Sequence, residues 1–184
     1  MRTFLAFCFL IGALASLSAC SSYRDEANDS SKAEVLGSRS LATIEEFRRK
    51  DPTIQKFFDS AYGYAVLPRI AKGAAGIGAA DGDGVVYEQG KLVGLTGMTQ
   101  VTVGFQLGGQ SYSELIFFQD KTRLDRFKAG NMEFSANASA VAVESGAAAS
   151  NDFKEGLAVF TMPIGGLMFE ASVGGQKFTY RSLP

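Results

Sequence analysis

Apolar positions follow three regimes along this chain. From Phe4 to Leu14 they form a nearly continuous run behind one basic residue, Arg2, and small residues then lead into Cys20. A basic start, an apolar stretch too short to span a bilayer and a small-residue box together make an export signal. Leu17-Ser18-Ala19-Cys20 has the form of a lipobox, so residues 1–19 are expected to be removed and Cys20 to become the acylated N-terminus. From Ser21 to Lys32 the string is polar and aperiodic, which reads as a flexible linker. The expected organisation is therefore a signal over 1–19, a lipidated cysteine and tether over 20–32, and one folded domain over 33–184.

The domain opens with helical spacing. Val35, Leu36, Ile44 and Phe47 lie among charges between Ala33 and Lys50, as in an amphipathic helix. Asp51-Pro52 then offers an N-cap and a first-turn proline, and Ile54, Phe57, Phe58 and Ala61 follow at helical intervals. After Tyr62 the pattern changes to short apolar runs divided by glycine. It predicts ten strands: Tyr64 to Leu67, Ala74 to Ala80, Gly84 to Glu88, Lys91 to Leu95, Thr99 to Gln106, Ser111 to Phe118, Glu133 to Val143, Gly156 to Met162, Leu167 to Val173 and Lys177 to Arg181. Gln89-Gly90 marks a tight hairpin. One helix interrupts the series over Lys121 to Lys128, capped by Asp120 and facing Leu124 and Phe127 inward. The expected fold class is α+β: a curved, barrel-like, mainly antiparallel sheet of many short strands, with N-terminal helices and one inserted helix.

Composition narrows the chemistry. Eighteen basic residues balance nineteen acidic ones, which disfavours a broad nucleic-acid-binding face. There is no histidine, and the two cysteines are Cys8, inside the signal, and Cys20. The domain thus lacks the residues of Ser-His and Cys-His nucleophile pairs and of His- or Cys-based metal sites, so no catalysis, metal or cofactor is expected.

The candidate motifs agree. Lys72-Gly73-Ala74-Ala75-Gly76-Ile77-Gly78 has no P-loop ending, and Asp81 stands where a dinucleotide fingerprint needs glycine or alanine; glycine in a bent strand explains the run better. Asp81-Gly82-Asp83 begins like a calcium loop, yet its twelfth position is Leu92. Glu114, Asp120 and Asp125 are carboxylates on separate elements and make no glycosidase-like pair by sequence. Phe57 and Phe58 beside Arg48, Arg49, Lys50 and Lys56 have two readings, a membrane-surface stripe or the buried face of a helix packed on its own sheet.

Several long strings, in order, resemble the SYLF domain family. They are Gly63-Tyr64-Ala65-Val66-Leu67-Pro68, the Lys72 to Gly78 run, Gly84-Val85-Val86-Tyr87, Val103 to Glu114, and Gly166 to Phe178. The resemblance implies a non-enzymatic module that binds phospholipid through basic residues and an N-terminal amphipathic helix. Carried onto this chain, the lipid contacts would be Arg69, Lys72, Lys56, Phe57 and Phe58. The functional expectation is a lipoprotein of the bacterial envelope, anchored through Cys20, whose domain binds membrane phospholipid. The alternative is an envelope structural or interaction protein that meets lipid only through its acyl chains and binds a protein partner. Actin, a partner of some eukaryotic relatives, is not expected for an exported chain. Ser21 stands where an aspartate would favour inner-membrane retention, which points to the periplasmic face of the outer membrane.

Overall fold

The computed structural model describes residues 28–130, 133–135 and 140–183, with 133–135 and 168–174 described by backbone alone. The signal, Cys20 and the first part of the linker lie outside these residues. Helix α1 occupies 28–50 and therefore takes in residues 28–32, which composition assigns to the linker. Two ion pairs tie this start to the sheet, Arg181 to Asp29 at 2.9 Å and Lys32 to Asp83 at 2.8 Å. Ala33, Leu36, Ser40, Thr43, Ile44 and Phe47 form the buried stripe at helical period.

A 3-10 turn, Pro52–Ile54, leads into α2, Gln55–Ser60. Asp51 caps the turn as expected, accepting from the Thr53 amide at 3.0 Å and the Thr53 hydroxyl at 2.6 Å. It also accepts from the Gly146 and Ala148 amides at 3.2 and 2.7 Å, clamping a distant loop. Burial alone would raise its carboxyl, but these bonds outweigh burial and hold it below the ordinary value.

The strands are fewer and far longer than glycine punctuation suggests. β1 is Gly63–Glu88, β2 is Lys91–Phe118, and after helix α3, Lys121–Lys128, come β3, Glu133–Ser135, β4, Val141–Ala142, and β5, Leu157–Ser182. The order is β1-β2-β5-β3, antiparallel throughout, with β4 parallel to β5. The β1–β2 hairpin closes at Gln89 and Gly90, with φ of +48° and +78°, the positive pair that a two-residue turn of this twist requires. Among the described residues nothing pairs β1 with β5, so the sheet is curved and open rather than a closed barrel.

Each long strand doubles back on itself. Gln176 is the ladder partner of Gln100, yet its side chain bonds Glu114, fourteen positions further along β2. On β1, a Cβ added at Gly82 would lie 2.7 Å from Ile70 of the same strand. The ladder survives the bend through register shifts at Leu67/Ile70, Ala75/Ile77 and Ser111/Tyr112, which add local twist without ending the strand.

Folding the sheet over creates two cores. Between its limbs and α3 lie Leu67, Ile70, Met98, Ile116, Phe118, Phe127 and Phe178; between its outer face and the N-terminal helices lie Phe47, Ile54, Phe57, Leu115, Phe117 and Phe160. The run Leu115-Ile116-Phe117-Phe118 is buried at every position because both faces of the strand are covered.

Candidate functional site

The bend forms an apex with an apolar outer surface. Val101, Val103, Phe105 and Leu107 alternate along β2 and are all exposed, Phe105 by 80%. Ile77, the β1 partner of Val103, stands beside them, and Ile164 and Leu167 of β5 are also exposed, Leu167 by 87%. Leu92 to Ser113 of β2, Gly73 to Ala80 of β1 and Leu157 to Phe169 of β5 contain no charged residue. The exposed side chains of this surface are all uncharged, while Glu170 of β5 is the ladder partner of Gln106 on the same bend. Monomeric soluble proteins seldom expose a contiguous apolar surface of this kind without using it.

The inner side of the same bend is polar and tightly bonded. The Thr102 hydroxyl donates to Gln106 Oε1 at 2.8 Å, and Gln106 Nε2 donates to the Thr102 and Gly76 carbonyls at 3.0 and 3.2 Å. Side chains four apart on a straight strand are roughly 13 Å distant, so this latch requires the fold at Gly104, whose φ is +154°.

Basic residues flank the apex. Arg69 is exposed, with its guanidinium 3.4 Å from the Ser111 hydroxyl. Arg69, Lys72 and Ser111 line a shallow cavity of about 480 Å³ with the backbones of Gly109, Gly165 and Gly166. Glu46, Arg49 and Lys50, near the end of α1, line a groove with Met162, Pro163 and Ile164.

A second cavity, of about 350 Å³, lies between the limbs and is lined by Lys72, Gln100, Gln110, Tyr112, Glu114, Thr161 and Gln176 among others. Glu114 is fully buried; Gln176 Nε2 donates to its Oε2 at 3.2 Å, while Oε1 has no hydrogen-bond partner among the described residues. Burial pushes its carboxyl up to about 7, opposed only in part by the Gln176 bond. Among the described residues no group of three or more Cys, Asp or Glu gathers to hold a metal ion.

Residues 99–182 match the family model described as Ysc84, Las17-binding protein actin regulator. Over these residues the chain is similar to the SYLF family. Beta cell expansion factor A of Aeromonas veronii is a relative, 29% identical over 131 residues, which are 70% of this chain and 49% of that protein. The chain thus spans about half the length of the curated relative it matches. The SYLF match takes in the β2 and β5 parts of the apex and Glu114, and leaves out Arg69, Lys72 and the N-terminal helices.

The residues expected to touch lipid divide into two groups. Arg69 and Lys72 come together near the apex, although Lys72 is 7% exposed and engaged in interactions of its own. Lys56, Phe57 and Phe58 sit at the opposite end of the strands. Phe57 is 1% exposed, with its ring 5.5 Å from Phe117 and 4.9 Å from Phe160. Phe58 packs edge-on against Tyr64 and Phe117 under the Arg48 guanidinium. Lys56 donates to the Ala149 and Asn151 carbonyls at 3.2 and 2.5 Å. Of the two readings of this stripe, packing on the chain's own sheet is the one observed, because α2 is the lid of the outer core. Cys20 falls outside the described residues.

The apex escapes a sequence reading centred on basic and aromatic clusters. Its signal is present in the chain: strict alternation from Val101 to Leu107 within a span that carries no charge. Alternation tells which face is apolar, and only the doubling of the sheet tells that this face is left uncovered.

Proposed function

We propose that this chain is a membrane-attached lipoprotein of the bacterial envelope whose SYLF domain binds phospholipid bilayers by inserting its apolar apex. The observation that carries the reading is the exposed, uncharged surface made by Ile77, Val101, Val103, Phe105, Leu107 and Leu167. Full burial of a large apolar side chain contributes about 1.5–3 kcal/mol, so three such residues entering the hydrocarbon boundary supply on the order of 5 kcal/mol. Arg69 stands beside the glycine-rich segment before Leu167, where it would meet anionic headgroups, and Arg49 and Lys50, with Glu46, line the groove that reaches Ile164. Cys20, acylated as its lipobox implies, would hold the chain on one membrane, on the periplasmic face of the outer membrane.

A tethered domain with a second lipid contact can grip its own leaflet or reach a facing one. The tether sets which surfaces are within range, and the apex supplies the affinity. Actin regulation, named in the family's description, is left out, because an exported chain does not meet cytoplasmic filaments.

Vesicle co-sedimentation tests the reading with the chain from residue 20 onward carrying Cys20→Ser, so that acyl chains cannot supply the attachment. The wild-type apex is expected to sediment with phospholipid vesicles, and Phe105→Asp combined with Leu167→Asp to lower the bound fraction at least tenfold. Equal sedimentation of both would refute the apex as the lipid contact. Failure of either to sediment, with a protein crosslinked to the apex in cells, would favour the interaction-protein reading.

A further inference from the structure

We propose that the cavity around Glu114, between the limbs of the folded sheet, receives the primary ammonium of a phosphoryl-amine zwitterion, the chemistry of a phosphoethanolamine group, whose phosphate lies against Arg69 and Lys72. The inference deepens the membrane reading and rests on it for the lipid form of this ligand.

The argument starts from Glu114. Its carboxyl is fully buried, one oxygen is bonded to Gln176, the other has no partner among the described residues, and Glu114 is one of the residues lining the cavity. A buried polar atom left unpaired is costly and calls for a donor. The remaining polar lining is Lys72, a cation with interactions of its own, Gln176, bonded to Glu114, and groups with neutral oxygens: Gln100, Gln110, Thr161 and Tyr112, the last also engaged elsewhere. A primary ammonium has three N–H donors and could give one to Glu114 and two to these oxygens. A divalent cation suits the site poorly, since such ions take several carboxylate or carbonyl oxygens in a full shell and, among the described residues, Glu114 is the one carboxylate lining this cavity.

The charge order then extends outward. Lys72 and Gln110 line both this cavity and the neighbouring one that holds Arg69 and Ser111. A negative side chain inside and two positive ones toward the opening complement a ligand with an inner ammonium and an outer phosphate. Lys72 keeps its own interactions, and its charge still acts on a phosphate beside it. The neighbouring cavity is also lined by Ile164, Gly165 and Gly166, immediately before Leu167 of the apex. A lipid headgroup held there would lie beside the inserted surface.

Calorimetric titration of the chain from residue 20 onward, carrying Cys20→Ser, with soluble phosphoethanolamine and phosphocholine at pH 8 tests the ammonium site directly. Phosphocholine carries no N–H donor. Phosphoethanolamine is expected to bind at least tenfold more tightly, and Glu114→Gln, which preserves shape, to abolish that preference while keeping a cooperative thermal transition. Vesicles of phosphatidylethanolamine and phosphatidylcholine form the second arm, and a matching, Glu114-dependent preference there identifies the lipid as the source. Preference for the soluble amine without vesicle binding supports the site with a soluble ligand and sinks the membrane reading. Vesicle binding without amine preference, in the wild type or unchanged by Glu114→Gln, overturns the ammonium site and leaves the membrane reading standing. Absence of binding in both arms overturns the site as well.

Discussion

Glu114 shows how one side chain is set by the fold around it. In sequence it is a carboxylate at the edge of an apolar run. In the structure it faces the opposite limb of a sheet that has turned back on itself. Its carboxyl is raised from 4.5 to about 7 by burial. A carboxyl whose folded value is raised contributes stability that is complete below its unfolded value and is lost as pH rises through the folded one. The difference corresponds to about 3 kcal/mol lost between roughly pH 4.5 and pH 7, at 1.36 kcal/mol per pH unit. Urea unfolding at pH 5 and pH 8 is therefore expected to show a larger fall in stability for wild type than for Glu114→Gln, by up to that amount. Identical falls would show that Glu114 is solvated or paired in solution. Asp51 works in the opposite sense: its lowered carboxyl contributes stability at neutral pH that disappears as pH drops through its folded value.

At the scale of elements, local chemistry made the helices legible. Asp51 and Asp120 cap where their spacing says they should, and Asp120 accepts from the Arg123 amide at 2.9 Å. The Gln89-Gly90 turn is equally local. Strand limits are not legible locally because glycine signals both the end of a strand and a bend within one, and here ladders continue through the positive-φ residues Gly76, Gly104 and Gly166. The α2 stripe was ambiguous for a different reason, since an amphipathic face reads the same toward a membrane or toward a core. Its position over Phe117 and Phe160 yields a clear expectation. Phe57→Ala should destabilise the domain by about 3–5 kcal/mol, measured by denaturant unfolding, while vesicle binding of the folded variant stays at the wild-type level. Loss of vesicle binding from a folded Phe57→Ala protein would return α2 to the lipid-contact role.

The whole molecule is a long three-stranded ribbon folded in half, with helices closing one end and an apolar bend at the other. Fold class was accessible from periodicity and glycine content, and the family from ordered strings of residues. The apex and the Glu114 cavity were not accessible, because both arise from contacts between residues far apart on one strand, and no local pattern encodes which limb meets which. On the proposed reading the two membrane devices are separate: Cys20 would supply the tether, and the apex would supply a contact of the domain itself.

The most direct test exploits the complete absence of tryptophan from the chain. Phe105→Trp, in the chain beginning at residue 20 with Cys20→Ser, places a single fluorophore on the apex. On addition of vesicles containing brominated phospholipid, its emission is expected to shift to the blue and to be quenched, while Phe57→Trp, at the far end of the strands, is left unchanged. Emission from Phe105→Trp that stays at its water-exposed position at saturating lipid would contradict insertion of the apex.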